Sequence, residues 1–110
     1  MITSANTKDA ALQLSDVSET GLLTLYCRAQ ETLSTNPILK DDKAVEITRA
    51  LDPLLEKSGD SVLRSLARGH IRSELVVHIS LRAQKYDDYA RDFLSLHPNG
   101  VIVNLGCGLD

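Results

Sequence analysis

The sequence predicts a small α/β chain in which a mainly helical segment precedes the first strand of a parallel sheet. Between residues 16 and 97, apolar residues recur every three or four positions, as they do in amphipathic helices. The period then gives way to the β-branched run Val101–Val103, which is typical of a buried parallel strand. With 110 residues, the chain has room for one modest core. We expect three parts: a flexible N-terminus (1–14), a helical cap segment (15–97), and the first strand with a glycine loop (98–110).

The first two helices are predicted by their apolar faces and their boundaries. One begins near Asp16 and stops before Asn36–Pro37, because proline has no N–H and disfavours the α conformation in the residue before it. The next begins at Asp41 or Asp42 as N-cap. Pro53 is expected to end or bend this second helix.

Two further helices complete the cap segment. A short one carries Val62, Leu63 and Leu66 and ends near Gly69. The longest periodic run steps from Ile71 to Phe93 in intervals of three and four residues, which predicts about six helical turns. The following sequence, His-Pro-Asn-Gly at 97–100, is a strong helix stop.

Composition and charge exclude several classes of protein. The net charge is −3, from 12 basic and 15 acidic side chains, so the composition does not indicate the basic surface that a nucleic-acid-binding protein needs. No run of about 18 apolar residues is present, so we expect no membrane partner. The N-terminus lacks the features of a secretory signal, and Cys27 and Cys107 lie far apart, so we expect a reducing, cytoplasmic location.

The most informative feature is the strand that runs into Gly106-x-Gly108. Glycine at such a point lets the backbone turn tightly and approach a ligand, as in nucleotide-binding sheets. A lone strand leaves its backbone groups unpaired. We therefore expect the chain to be the N-terminal segment of a longer α/β protein, truncated inside its cofactor loop. If the chain is complete, this strand would pair with a second copy or fray.

The last ten residues, Val-Ile-Val-Asn-Leu-Gly-Cys-Gly-Leu-Asp, resemble the cofactor motif of the leucine carboxyl methyltransferase family, which includes the tetracenomycin-type polyketide O-methyltransferases. Several upstream segments resemble the same family in order and spacing over about residues 15 to 110. They are Val17–Thr20, Leu25–Ala29, Pro37–Asp41, Lys43–Ile47, Leu81–Arg82 with Asp87, Phe93–Leu94 and His97–Pro98.

The resemblance implies a Rossmann-like methyltransferase that uses S-adenosylmethionine to methylate a carboxylate or hydroxyl of a small, polyketide-like metabolite. It assigns Arg82 to the carboxylate of that cofactor and Arg28 as a second contact, while Gly106 and Gly108 let the loop backbone lie against it. No metal is required. The segment alone is expected to be inactive, and self-association through its unpaired strand is a further expectation.

Other interpretations stay open on the residues alone. Gly106-x-Gly108 would also begin an NAD-dependent oxidoreductase, or the chain could be a non-catalytic helical interaction protein. Arg82 on a long helix is by default a solvated or ion-paired residue. The basic stripe at positions 64, 68 and 72 is best interpreted as a solvated face, and the three histidines have no metal-ligand spacing.

Overall fold

The computed structural model of the chain describes residues 16–109, and the predicted flexible N-terminus lies outside this part. Four α-helices follow one another in it: α1 (Asp16–Thr32), α2 (Asp42–Glu56), α3 (Ser61–Ala67) and α4 (Ser73–Leu96). The four helices expected from the apolar spacing are therefore confirmed. Among these described helices, none combines the length and the apolar character needed to cross a bilayer.

Aspartate side chains begin the second and third helices. Asp41 is the N-cap of α2, and its Oδ1 accepts a hydrogen bond from the Ala44 N–H at 2.9 Å. Asp60 is the N-cap of α3, and its Oδ1 accepts from the Val62 N–H at 2.8 Å. Each bond satisfies a backbone donor that has no partner inside the helix.

Pro37 and Pro53 have different effects on the helices: Pro37 lies in the turn after α1, whereas Pro53 lies inside α2 and does not end it. The chain leaves α1 at Thr32, and Asn36 takes a left-handed φ of +55° immediately before Pro37. This confirms the predicted turn, since proline disfavours the α conformation at the preceding residue. In contrast, α2 continues past Pro53 to Glu56, so the expectation that Pro53 could end the helix is wrong.

The main core lies where α1 meets α2 and α3. Buried apolar side chains from all three helices form one cluster, and a smaller cluster joins α1 to α4. The main cluster contains Leu22, Leu25, Tyr26, Ala29, Ala44, Val45, Leu55, Leu63 and Leu66. The smaller one contains Cys27, Val76 and Ile79. Helix α1 is therefore the central element against which the other three pack.

A tight turn ends α4 and leads into the glycine segment. The Gly100 N–H donates to the His97 carbonyl at 2.8 Å, and the His97 ring lies 4.9 Å from that of Phe93. A Cβ at position 100 would come within 2.6 Å of the Phe93 ring. Glycine is favoured here because a larger residue would force the Phe93 ring to move.

The predicted strand at Val101–Val103 does not form. Residues 101–104 have no strand partner, and the part of the chain from 16 to 109 is entirely helix, turn and loop. The physical reason is that a strand is stabilised by hydrogen bonds to a neighbouring strand, and no neighbour is present in this part of the chain. The α/β class is therefore corrected to all-α for the described segment.

Candidate functional site

The glycine segment, residues 105–109, has the backbone geometry of two successive turns. Gly106 and Gly108 have φ values of +62° and +57°, both in the left-handed region. A Cβ built at either position would meet no atom within 4 Å. Backbone conformation, rather than close packing, is therefore what favours glycine at these two positions, and the space beside them is open.

Arg28 joins α1 to the glycine segment. Its side chain is only 6% exposed, and its Nε donates to Asp41 Oδ2 at 3.0 Å. Its Nη2 donates to the Leu109 carbonyl at 3.0 Å, across 81 positions of sequence. The structure thus places Arg28 beside the end of the glycine segment, as expected if both belong to one site. Whether Arg28 also contacts a cofactor stays a prediction.

Asp41 makes a contact with Arg28 that the sequence analysis did not predict. Its two carboxylate oxygens have separate partners, since Oδ1 caps α2 and Oδ2 accepts from Arg28. Its backbone N–H donates to Thr32 Oγ1 at 2.9 Å, and the Thr32 hydroxyl donates to the Arg28 carbonyl at 2.7 Å. The sequence signals only the cap, because the partner lies 13 positions away on another element.

The loop between α1 and α2 is held from two helices. Glu31, which is buried on α1, accepts from the Ile38 N–H at 2.8 Å. Gln84 on α4 donates through Nε2 to the Ile38 carbonyl, also at 2.8 Å. Both backbone groups of Ile38 are therefore satisfied, and the loop that carries Asp41 is fixed against α1 and α4.

Arg82 lies on an exposed part of α4. It lines a shallow depression together with His78, Leu81, Gln84, Lys85 and Asp88. No residue of the glycine segment lines that depression. Among the described residues, the Arg82 side chain makes no hydrogen bond or ion pair with another residue. The structure brings Arg28 to the glycine segment but does not bring Arg82 there, so the role of Arg82 stays a prediction.

The two cysteines differ in environment. Cys107 is exposed between the two glycines, whereas Cys27 is fully buried on α1. Burial raises the pKa of the Cys27 thiol, and the positive charge of Arg28 opposes that shift only in part. The Cys107 thiol is therefore the accessible one for chemical modification.

The basic side chains of the 64–72 stripe are engaged in local contacts or lie exposed. Arg68 makes a two-pronged ion pair with Glu56 at 3.0 and 3.3 Å. Arg64 donates to the Ser58 carbonyl. Both contacts agree with the interpretation of this stripe as a solvated face.

Two curated proteins match most of the chain. It is 32% identical to the tetracenomycin polyketide synthesis O-methyltransferase TcmP of Streptomyces glaucescens over 99 aligned residues. The alignment covers 90% of the chain and 33% of that protein. The chain is homologous to this methyltransferase. It is also 28% identical to the S-adenosyl-L-methionine-dependent methyltransferase dpfgK of Gibberella zeae over 98 aligned residues. This alignment covers 88% of the chain and 32% of that protein.

The predicted resemblance to tetracenomycin-type methyltransferases is therefore confirmed. The chain spans about a third of the length of these curated relatives, and corresponds to their N-terminal part. No family model and no solved structure matches it. Both relatives are methyltransferases, so the comparison gives no support to the nicotinamide alternative.

Proposed function

We propose that this chain is the N-terminal part of an S-adenosylmethionine-dependent O-methyltransferase that acts on a carboxylate or hydroxyl of a small, polyketide-like metabolite. The observation that carries the proposal is the alignment of 90% of the chain with a polyketide O-methyltransferase. The remaining residues of the cofactor pocket and the acceptor site would come from the region that follows in the relatives. Residues 1–110 are accordingly expected to give no turnover alone.

Two features of the described residues support this proposal. The left-handed glycines, with open space beside them, leave the backbone of the glycine segment free to lie against a ligand. Arg82 is exposed and presents a guanidinium, whose fork of donors matches the two oxygens of a carboxylate. S-adenosylmethionine supplies an activated methyl group on a sulfonium.

The chain's own contribution is binding and orientation. Methyl transfer to an oxygen nucleophile is an in-line displacement, so holding the two reactants in line supplies much of the rate enhancement. In this proposal Arg82 fixes the amino-acid end of the cofactor and the glycine segment supports its body. Arg28 maintains the position of that segment through the Leu109 carbonyl.

Titration calorimetry with S-adenosylmethionine tests the proposal, using a polypeptide extended to the length of the relatives. We expect Arg82→Ala to weaken binding by about tenfold to hundredfold, since a charge-assisted hydrogen bond contributes about 1.5–3 kcal/mol. Arg91→Ala is the matched control, because Arg91 is an exposed arginine of the same helix that pairs locally with Asp88. Equal affinity of both variants would remove Arg82 from the site, and absence of binding by the unmodified polypeptide would refute the function.

A further inference from the structure

Asp41 occupies the point where the helical cap meets the glycine segment. We propose that Asp41 is a positioning residue: its carboxylate orients the Arg28 guanidinium so that Arg28 holds the Leu109 carbonyl and fixes the glycine segment against α1. We call the chain of contacts Asp41–Arg28–Leu109 the latch. That the latch serves a cofactor rests on the proposed function; the latch itself does not.

The geometry separates this role from helix capping. Capping α2 uses Oδ1 of Asp41 alone, and Oδ2 is directed to Arg28 Nε at 3.0 Å. Asp60 caps α3 through the same kind of bond to a backbone N–H, and no ion pair is formed by its side chain in the described residues. Asparagine caps helices as well as aspartate does, but it carries no charge to pair with a guanidinium.

Burial makes the orientation of Arg28 depend on its carboxylate neighbour. Arginine is rarely buried unless it is paired, and the Arg28 side chain is 6% exposed, whereas that of Asp41 is 29% exposed. A neutral amide in place of the carboxylate at 3.0 Å would form a weaker hydrogen bond with Nε, so the guanidinium would be less firmly oriented. Its bond to the Leu109 carbonyl would weaken as well, because both bonds come from one planar group.

Packing does little to hold the glycine segment. Positions 106 and 108 have no neighbouring atom within 4 Å of a built Cβ, and Leu105 is 87% exposed. The bond from Arg28 to Leu109 is a long-range polar contact that holds the segment in the described part of the chain. A backbone that is already ordered loses less conformational freedom when a ligand binds, so the latch raises affinity by preorganisation.

A spin label on Cys107 reports the mobility of the glycine segment directly. Cys107 is exposed and Cys27 is fully buried, so a thiol-specific nitroxide attaches to Cys107 in the native chain. Asp41→Asn keeps a helix cap and removes the charge, and we expect it to abolish the slow-motion component of the electron paramagnetic resonance spectrum. Asp60→Asn is the matched control at the other N-cap, and its spectrum is expected to equal that of the unmodified chain.

Action through Arg28 predicts non-additive effects. Arg28→Lys keeps the positive charge but loses the planar set of donors. We therefore expect it to increase the mobility of the label, as Asp41→Asn does. The double variant should show no more mobility than either single one, since both remove the same latch. Asp41→Glu, which restores a carboxylate, should recover part of the slow component. Far-UV circular dichroism checks that each variant stays helical.

Three results would overturn the latch. The first is a label that stays immobile in a helical Asp41→Asn variant. The second is an equal increase in label mobility in Asp41→Asn and Asp60→Asn. The third is a double variant whose increase in label mobility equals the sum of the two single increases. In the extended polypeptide, Asp41→Asn should also weaken S-adenosylmethionine binding by about tenfold. If Asp41→Asn makes the label mobile but the unmodified extended polypeptide does not bind the cofactor, the latch is supported and the proposed function is refuted.

Discussion

At the scale of single residues, Tyr26 shows how one buried polar group is accommodated in an apolar core. Its ring belongs to the main cluster and is 6% exposed, while its hydroxyl donates to Asp52 Oδ1 at 2.6 Å. Burial, followed by the hydrogen bond and the negative charge of Asp52, raises the pKa of Tyr26 far above its usual value of 10.0. The folded chain therefore holds this proton at a pH where the unfolded chain releases it.

Tyr26→Phe tests the energetic role of that hydroxyl. At neutral pH we expect a loss of about 1–3 kcal/mol of unfolding free energy, because a hydrogen bond to a charged acceptor is removed and the carboxylate loses its buried donor. Urea denaturation measures the change. Tyr89→Phe, at a side chain that is 58% exposed, is the control and is expected to leave the unfolding midpoint unchanged.

The pH dependence of the same pair has a definite sign. Above pH 10 the unfolded state binds fewer protons than the folded state, so the unfolding free energy of the unmodified chain falls as pH rises, by about 1.4 kcal/mol per pH unit for this group. Cys27, whose pKa burial also raises, adds a fall of the same sign in both proteins. The advantage of the unmodified chain over Tyr26→Phe should therefore shrink between pH 9 and 11; a constant difference would contradict the assignment.

The candidate site was only partly predictable at this scale. The sequence indicates Gly106 and Gly108 because glycine allows a tight turn and the close approach of a ligand, and the structure shows a positive φ at both positions. The partnership of Arg28 with Asp41 has no such signature, since it depends on how α1 and α2 pack. Opposite charges at a separation of 13 positions are common in any sequence with this many charged residues.

At the scale of elements, helices were predictable and the strand was not, for a physical reason. Each helix satisfies its own backbone and presents an apolar face at a local period, so its sequence carries most of the information. The run Val101–Val103 has strand composition, but pairing requires a second strand from elsewhere. Local composition therefore identified a segment suited to a strand without supplying its partner.

Helix α2 offers a test of how local preference and tertiary packing compete. Pro53 lies inside α2 on an exposed position, where it removes one backbone hydrogen bond, yet the helix continues to Glu56. Leu55, just beyond it, is 2% exposed and belongs to the main core. Burial of this last turn thus outweighs the local cost of proline.

Replacing this proline should stabilise the chain. We expect Pro53→Ala to raise the unfolding free energy by about 2 kcal/mol, which is the helix penalty of proline less the gain in conformational freedom of the unfolded chain. Thermal unfolding followed by circular dichroism measures it as a higher midpoint. Arg49→Ala, one turn earlier on an exposed position, controls for the gain from alanine itself. A lower midpoint for Pro53→Ala would show that the proline conformation is required for packing of Leu55.

At the scale of the whole molecule, the described part of the chain is less compact than a domain of this length usually is. Its radius of gyration is 16.0 Å, against about 13 Å for a compact domain of this size. Large apolar side chains remain exposed along α4 from Leu81 onward and in the residues after it. They include Leu81, Tyr86, Tyr89, Phe93, Leu94, Leu96, Val101, Ile102, Val103 and Leu105. In the relatives, which are about three times as long, further chain is available to cover such a surface.

Residues 101–104 combine this apolar exposure with unpaired backbone, which is the usual basis for edge-to-edge association. We expect the 110-residue chain to self-associate with rising concentration through this segment. Sedimentation velocity over a concentration series would show the sedimentation coefficient increasing. A symmetric pair would bring position 102 of one copy close to position 102 of the other.

Ile102→Lys tests that geometry. It places two positive charges near each other across the pair, so the dimer should weaken by about tenfold or more, because like charges on facing strands are destabilising. Leu54→Lys makes the same change at an exposed apolar position on α2, where 41% of the side chain is accessible, and should leave association unaltered. If both variants weaken association equally, nonspecific apolar contact is its cause; if the unmodified chain stays monomeric, the expectation of strand pairing fails. Since Ile102 lies outside both core clusters, unfolding midpoints at low concentration should be the same for the variant and the unmodified chain.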